Sequence, residues 1–494
     1  MHRLQRLTTL LCVAAVLLPS LTVSADSYLY VRKGQAVPAP AAYSLVQEVT
    51  LTADGLPAQT PQDVYRTEDG TLYIADTGND RILICGTDYR VQGTITRLAR
   101  ADGSTDRLQA PEGVYVDGSG TVYVADTGNH RIVRCAADGT VQRIIEKPAN
   151  LTGVSEDSAF NPTKLSVDSS GRLYVVARNY NLGILQLDAA GGFVGYIGAP
   201  RVQYNLIQML WRKLSTEEQL AKMEQYVPTE YNNLAIDSEG FVYGTIGTLD
   251  AEKLEAVIRS GDMSGSVSPI KKLNTTGSDV LKRNGFVAPL GDLEYEENPS
   301  KIVDVAYGEN GVYALLDAEH GHIFLYDDNG NLLCAFGGNG TGAGMFRQVS
   351  SLVFARRTLV ITDALTAKLY VYAPTEYGAL VLNAVAAQYN GDFDEAYTRW
   401  SEVAQCNRSF EYAFVGVGQA YSNDGQYEQA MECFAYADDK TNYSKAKALA
   451  RKETMRTVFP VIFIVLLVIA AGAFLYGIVN RVRRYIRGEI GPGK

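Results

Sequence analysis

The chain has 494 residues, of which 46% are hydrophobic and 10% aromatic, enough for packed cores and for about two to four domains. Its formal charge of -10 excludes a surface built to neutralise phosphate, because such surfaces rely on Lys and Arg to displace counterions. Nucleic acid is therefore not an expected partner.

Residues 1–25 carry a basic start ("MHRLQR"), an apolar core ("LTTLLCVAAVLLPSL") and the small-residue site Val23-Ser24-Ala25, the pattern of a secretory signal peptide. Cys12 follows Leu10 and Leu11 rather than the small residues that a lipidation site needs. Residues 26–41 read as a linker. Five cysteines follow the signal, an odd number that no complete disulfide set satisfies. Cys85 and Cys135 occupy matching places in neighbouring repeats, too far apart to bridge, and are expected to be buried free thiols.

The repeat begins at Thr60, with "TPQDVYRTEDGTLYIADTGNDRILICGTDYRVQGTI", and recurs from Ala110 as "APEGVYVDGSGTVYVADTGNHRIVRCAADGTVQRII". Each copy holds four short alternating or β-branched runs separated by Gly, Asp and Asn turns, which predicts a four-stranded antiparallel meander. A third copy starts at Pro162, and worn copies start at Asn233, Asp304 and Ser351. One meander cannot cover both its faces and its edges, whereas six packed radially can, so the pattern predicts a six-bladed all-β propeller over 42–376.

"DTGNHRI", with the preceding "PEGVYVDGSGTVYVA", resembles the NHL repeat, and the likeness extends from about Ala42 to Pro374. It implies that Asp76 and Asp126 end second strands, that Arg81 and Arg131 begin third strands and pair with them, and that His130 is structural. It also implies an N-terminal strand that closes the ring, a part that "YSLVQEVTL" at 43–51 fits.

From 377 to 456 the period changes. Phe393, Ala396 and Trp400 recur as Tyr427, Ala430 and Phe434, each 34 residues on, which is the tetratricopeptide period of paired helices. Gly418 and Tyr421 also match that family, and a third helix at about 443–455 is expected to cap the pair and run toward the next segment. Residues 458–479 ("VFPVIFIVLLVIAAGAFLYGIV") carry no charge and are long enough to cross a bilayer as a helix. Arg481, Arg483, Arg484 and Arg487 come next, so the tail at 480–494 is expected on the cytoplasmic side and the ectodomain outside.

Three insertions, at 199–229, 248–268 and 284–298, fall in blade crossings or second-to-third-strand turns and are expected to crown one face. Tyr204, Trp211 and Tyr226 are the candidate contacts there for a protein, peptide or glycan. At the channel mouth of the same face, Asp63, Glu112, Asn232, Asn233 and Asp304 form a candidate calcium set, with Lys164 bringing an opposing charge. A zinc lyase is disfavoured, since only His130, His320 and His322 follow the signal and the last two share one blade turn. The leading expectation is a non-enzymatic, membrane-anchored scaffold that binds a protein or surface ligand. The order of segments resembles membrane-anchored NHL-repeat proteins of Gram-positive bacteria. The alternative is a calcium-dependent lactonase-type hydrolase acting at the mouth.

Overall fold

The structure is a computed structural model that describes residues 27–155, 157–198, 230–247, 249–293, 298–489 and 491. The six repeats form six sheets whose innermost strands neighbour one another in a closed circle. In blade one these strands are Pro61–Arg66, Leu72–Asp76, Arg81–Cys85 and Val91–Ile95. The second strands, such as Leu72–Asp76 and Val122–Asp126, are buried at every position, which is why they read as continuous β-branched and aromatic runs rather than as alternation. The apolar core lies between adjacent blades, as in the cluster of Ile82, Ile95, Leu108, Val114 and Val124 that joins blades one and two.

The ring is closed by β3 (Tyr43–Thr50), which pairs antiparallel with Lys368–Pro374, from Thr50 opposite Lys368 to Tyr43 opposite Pro374. N-terminal chain thus supplies the outer strand of blade six. Two departures from the sequence reading stand out. Blade four has three strands, Tyr231–Ile236, Val242–Ile246 and Ile270–Leu273. Residues 28–38, read as linker, form a hairpin of β1 (Tyr28–Tyr30) and β2 (Ala36–Pro38) that pairs with the outer strand of blade five.

Among the described residues blade four has no fourth strand, and the chain after Leu273 leaves the sheet. It reaches the end of the propeller away from the blade crossings, where the Asn284 amide donates to the Asn329 carbonyl at 2.8 Å. From there it climbs the rim of blade five to Asp292. The third insertion therefore does not simply crown the face it was assigned to. The second contains α1 (Ala251–Ser260), capped by Asp250, whose Leu254 and Val257 pack on Ala288 and Leu290 of the third. The first, with Tyr204, Trp211 and Tyr226, lies outside the described residues.

Five helices come after the last blade: α2 (Glu376–Asn390), α3 (Phe393–Cys406), α4 (Glu411–Asn423), α5 (Tyr427–Tyr436) and α6 (Lys440–Ile486). Each packs on the next. The 34-residue recurrence has a packing basis, since Ala396 and Trp400 are buried, as are Ala430 and Phe434. The capping helix is not separate from the apolar segment: α6 is one 47-residue helix that includes both, and it is the described helix long and apolar enough to cross a membrane. Cys85, Cys135 and Cys334 are buried free thiols, and burial pushes the first two up to about 12.

Trp400 is wholly buried, and its indole Nε1 donates to Gln388 Oε1 at 2.8 Å. Trp400→Ala should destabilise the helical array by about 3–5 kcal/mol, seen as a lower urea midpoint in the helical circular dichroism signal.

Candidate functional site

Each second strand ends on the face that also carries the starts of the first strands. Asp76 and Asp126 are fully buried there. Arg81 Nε donates to Asp76 Oδ2 at 2.6 Å, and Arg131 Nε to Asp126 Oδ2 at 2.7 Å. The other carboxylate oxygen of each accepts a backbone amide from the incoming blade crossing, Gln59 at 2.6 Å and Gln109 at 2.7 Å. These residues staple a turn to the crossing that lies over it. His130, like Asp80 one blade earlier, holds a left-handed turn position, and its Nδ1 meets Asn161 Oδ1.

The same face opens on the axis as a cavity of about 330 Å³ lined by Gln62, Glu112, Lys164, Arg178, Glu230 and Asn232, among others. The described residues that flank the first insertion, Gly198 and Glu230, both lie at this end of their blades. Arg178 donates to Glu112 at 2.6 Å from an exposed side chain, so a charged pair faces the opening. The helices sit at the other end: Tyr412 donates to Asp327 Oδ2 at 2.7 Å and Arg357 to Asn383 Oδ1 at 2.6 Å, both at turns remote from the mouth.

Three members of the candidate calcium set converge beneath the cavity and two do not. Lys164 Nζ lies 2.6 Å from Asp63 Oδ1. Ser351 Oγ donates to Asp304 Oδ2 at 2.6 Å, and Asn233 Nδ2 to Asp304 Oδ1 at 2.6 Å. Backbone amides complete the set, Val114 on Asp63 and Val305 and Leu352 on Asp304. Glu112 is engaged by Arg178, and Asn232 by the hydroxyl of Thr245 and the carbonyl of Ile302. These residues do not fit calcium: the ammonium of Lys164 occupies the cation's place, and donors already face both oxygens of Asp304. The axial network is a plug that binds the blades to one another.

A second cluster escaped the sequence reading. Asp292, Asp317, His320 and His322 gather on the rim of blade five, with one ligand atom from each lying within 4.8 Å of all the others. The spacing Asp-x-x-His-x-His at 317–322 was the available signal. Asp292 was not legible, because nothing local brings it there.

The NHL repeat model matches residues 108–135. Among solved structures the chain is similar to virginiamycin B lyase from Staphylococcus aureus, at 13% identity over 67% of this chain and 99% of that one, with a TM-score of 0.41. It is also similar to a gluconolactonase from Xanthomonas campestris, at 14% identity over 68% and 98%, with a TM-score of 0.38. No curated protein matches the chain. The chain thus contains an NHL repeat within a six-bladed β-propeller, followed by a helical region with one long apolar helix.

Lys164→Met leaves the Asp63 carboxylate buried without its cation and should cost about 3–5 kcal/mol, measured by urea unfolding at neutral pH. Burial, opposed by Lys164 and reinforced by Asp63, pushes the Asp304 carboxyl up to about 6, against about 3.9 in an unfolded chain. Between those values the folded state keeps a proton that the unfolded state has lost, so the group's contribution to stability declines as pH rises through that window. Asp304→Asn cannot titrate, and its urea midpoint should fall less than the parent's as pH is raised from the lower value to the higher.

Proposed function

We propose that the chain is a single-pass membrane protein that holds a ligand-binding propeller outside the cell. The single observation that carries this reading is the axial cavity, with its Glu112–Arg178 pair, at the end of the propeller opposite the helices that lead into the long apolar helix. With α6 in the bilayer and its arginines on the cytoplasmic side, the mouth would face away from the membrane. The helices at 377–456 act as a tetratricopeptide-like spacer, with a neighbouring membrane protein as a second partner. At the mouth, Glu112 and Arg178 offer paired charges to a peptide or glycan, and Tyr204, Trp211 and Tyr226 of the first insertion supply aromatic contacts. Lactonase chemistry through an axial calcium finds no support in the donor set, since an ammonium already neutralises Asp63.

Binding is tested on peptide and glycan arrays with the full-length chain in detergent. A Glu112→Ala/Arg178→Ala variant should lose the parent's hits, while its circular dichroism spectrum stays the same. Hits that survive this variant and also survive removal of residues 201–228 would rule out the mouth. Protease added outside intact cells should consume the propeller and spare the tail, and the reverse pattern would overturn the topology.

A further inference from the structure

The rim of blade five departs from the staple of blades one and two in a way that leaves carboxylates without a fixed counter-charge. In blade one, Arg81 neutralises Asp76. In blade two, Arg131 serves two carboxylates at once, Asp126 at 2.7 Å and Asp106 at 2.8 Å, and holds Asp106 well below the usual carboxylate range. Asn79 and Asn129, three residues after the aspartates, complete each staple with hydrogen bonds of 3.0 and 2.9 Å.

Blade five keeps the aspartate as Asp317 and also receives a second carboxylate, Asp292, from the segment that climbs its rim. His322 stands at the arginine position and His320 at the asparagine position, by their spacing from Asp317. Among the described residues, the ion-pair partners of Asp292 and Asp317 are these two imidazoles.

We propose that this cluster is a structural site for a divalent transition metal of the zinc class, in which the metal stands where Arg131 stands in blade two. His322 Nδ1 is 2.7 Å from Asp292 Oδ2, while His320 Nδ1 is 2.9 Å from Asp317 Oδ2 and 3.3 Å from Asp292 Oδ2. A tetrahedral zinc with ordinary bond lengths separates its ligands by about 3.3 Å. The donors are therefore near that spacing before any ion enters.

The outer ring of hydrogen bonds suits the same role. Asp317 Oδ1 accepts the amides of Lys301 at 2.8 Å and Glu319 at 2.9 Å. Asp292 Oδ1 accepts the hydroxyls of Tyr30, at 3.0 Å, and Tyr28. In both carboxylates one oxygen is fixed by neutral donors and the other is turned toward the imidazoles, as outer partners do in metal sites. Two imidazoles select against calcium and magnesium, which prefer all-oxygen sets. Four protein ligands leave no open position, which makes the site a staple rather than a catalytic centre. The partly exposed rings of His320 and His322 give an ion its way in.

The test uses the full-length chain in detergent, purified without a histidine tag, dialysed against zinc chloride or calcium chloride, and followed by elemental analysis and thermal unfolding. The expected result is about one retained zinc per chain and a raised melting midpoint with zinc, with neither effect from calcium. A His320→Gln/His322→Gln variant should bind zinc at least about tenfold more weakly, whereas His130→Gln should bind as the parent does. Asp292→Asn, which keeps an acceptor for the tyrosine hydroxyls, should also lose affinity while its circular dichroism spectrum is unchanged, which separates lost binding from lost folding. Equal zinc retention by the double variant and the parent, an equal response to calcium, or no zinc uptake by the parent would each overturn the proposal.

Discussion

A ring of sheets is only as closed as the one pairing that joins its chain ends. Until β3 lies against Lys368–Pro374, blade six has an open edge and the apolar faces between blades six and one are not held together. This pairing also positions the first helix beyond the propeller. It brings the Ala42 carbonyl to the Thr375 amide at 2.9 Å, and Thr375 Oγ1 to the Ala41 carbonyl at 2.6 Å, so that Thr375 caps α2 beside the closing strand. The approach is close enough that a Cβ on Gly378 would lie 1.9 Å from the Ala42 oxygen. The helical array is thereby fixed in direction by the residues that close the ring.

Buried carboxylates raise the same physical problem at two places, and the chain meets it differently in each. On the axis, where inner strands from opposite sides converge, a single lysine reaches across to Asp63, and Asp304 is surrounded by donors. The charges of Asp63 and Asp304 are consumed by the fold, and what remains open above them is a cavity whose lining carries both signs, Glu112 and Glu230 with Arg178 and Lys301. On the blade turns, arginine neutralises the aspartate locally in blades one and two, and the rim of blade five lacks that arginine.

The parts of the molecule legible in the sequence are those fixed by local period. Strand order, the turns at Asp76 and Asp126, and the closing strand all repeat a pattern within one blade or complete it. The two Cys residues at matching places are buried for the same reason. What could not be read depends on contacts between distant segments. Lys164 and Asp63 are neighbours only because the third inner strand faces the first across the axis. Blade four keeps enough of the motif to be recognised in its first two strands, but nothing in "IKKLNTTGSDVLKRN" announces that the fourth strand fails to form. The linker reading of 26–41 failed because "YLY" is too short to mark a strand, and its partner lies some three hundred residues away.

That hairpin links the two halves of the structure. Tyr28 and Tyr30, at one end, bond to Asp292 on the rim of blade five. Arg32, just beyond β1, offers its backbone amide to Glu411 at 2.8 Å, its Nε to the Ala437 carbonyl at 3.1 Å and its guanidinium to Asp439, while its charge lies over the Phe286 ring at 4.1 Å. Asp439 is the cap of α6, so the residue that anchors the hairpin also touches the start of the long helix. Two strands of three residues have little stability of their own. They are ordered by the apolar cluster that buries Leu29 and Tyr30 and by the polar contacts at each end. The rim of blade five and the root of α6 are thus tied to one short segment of chain, Tyr28 to Arg32.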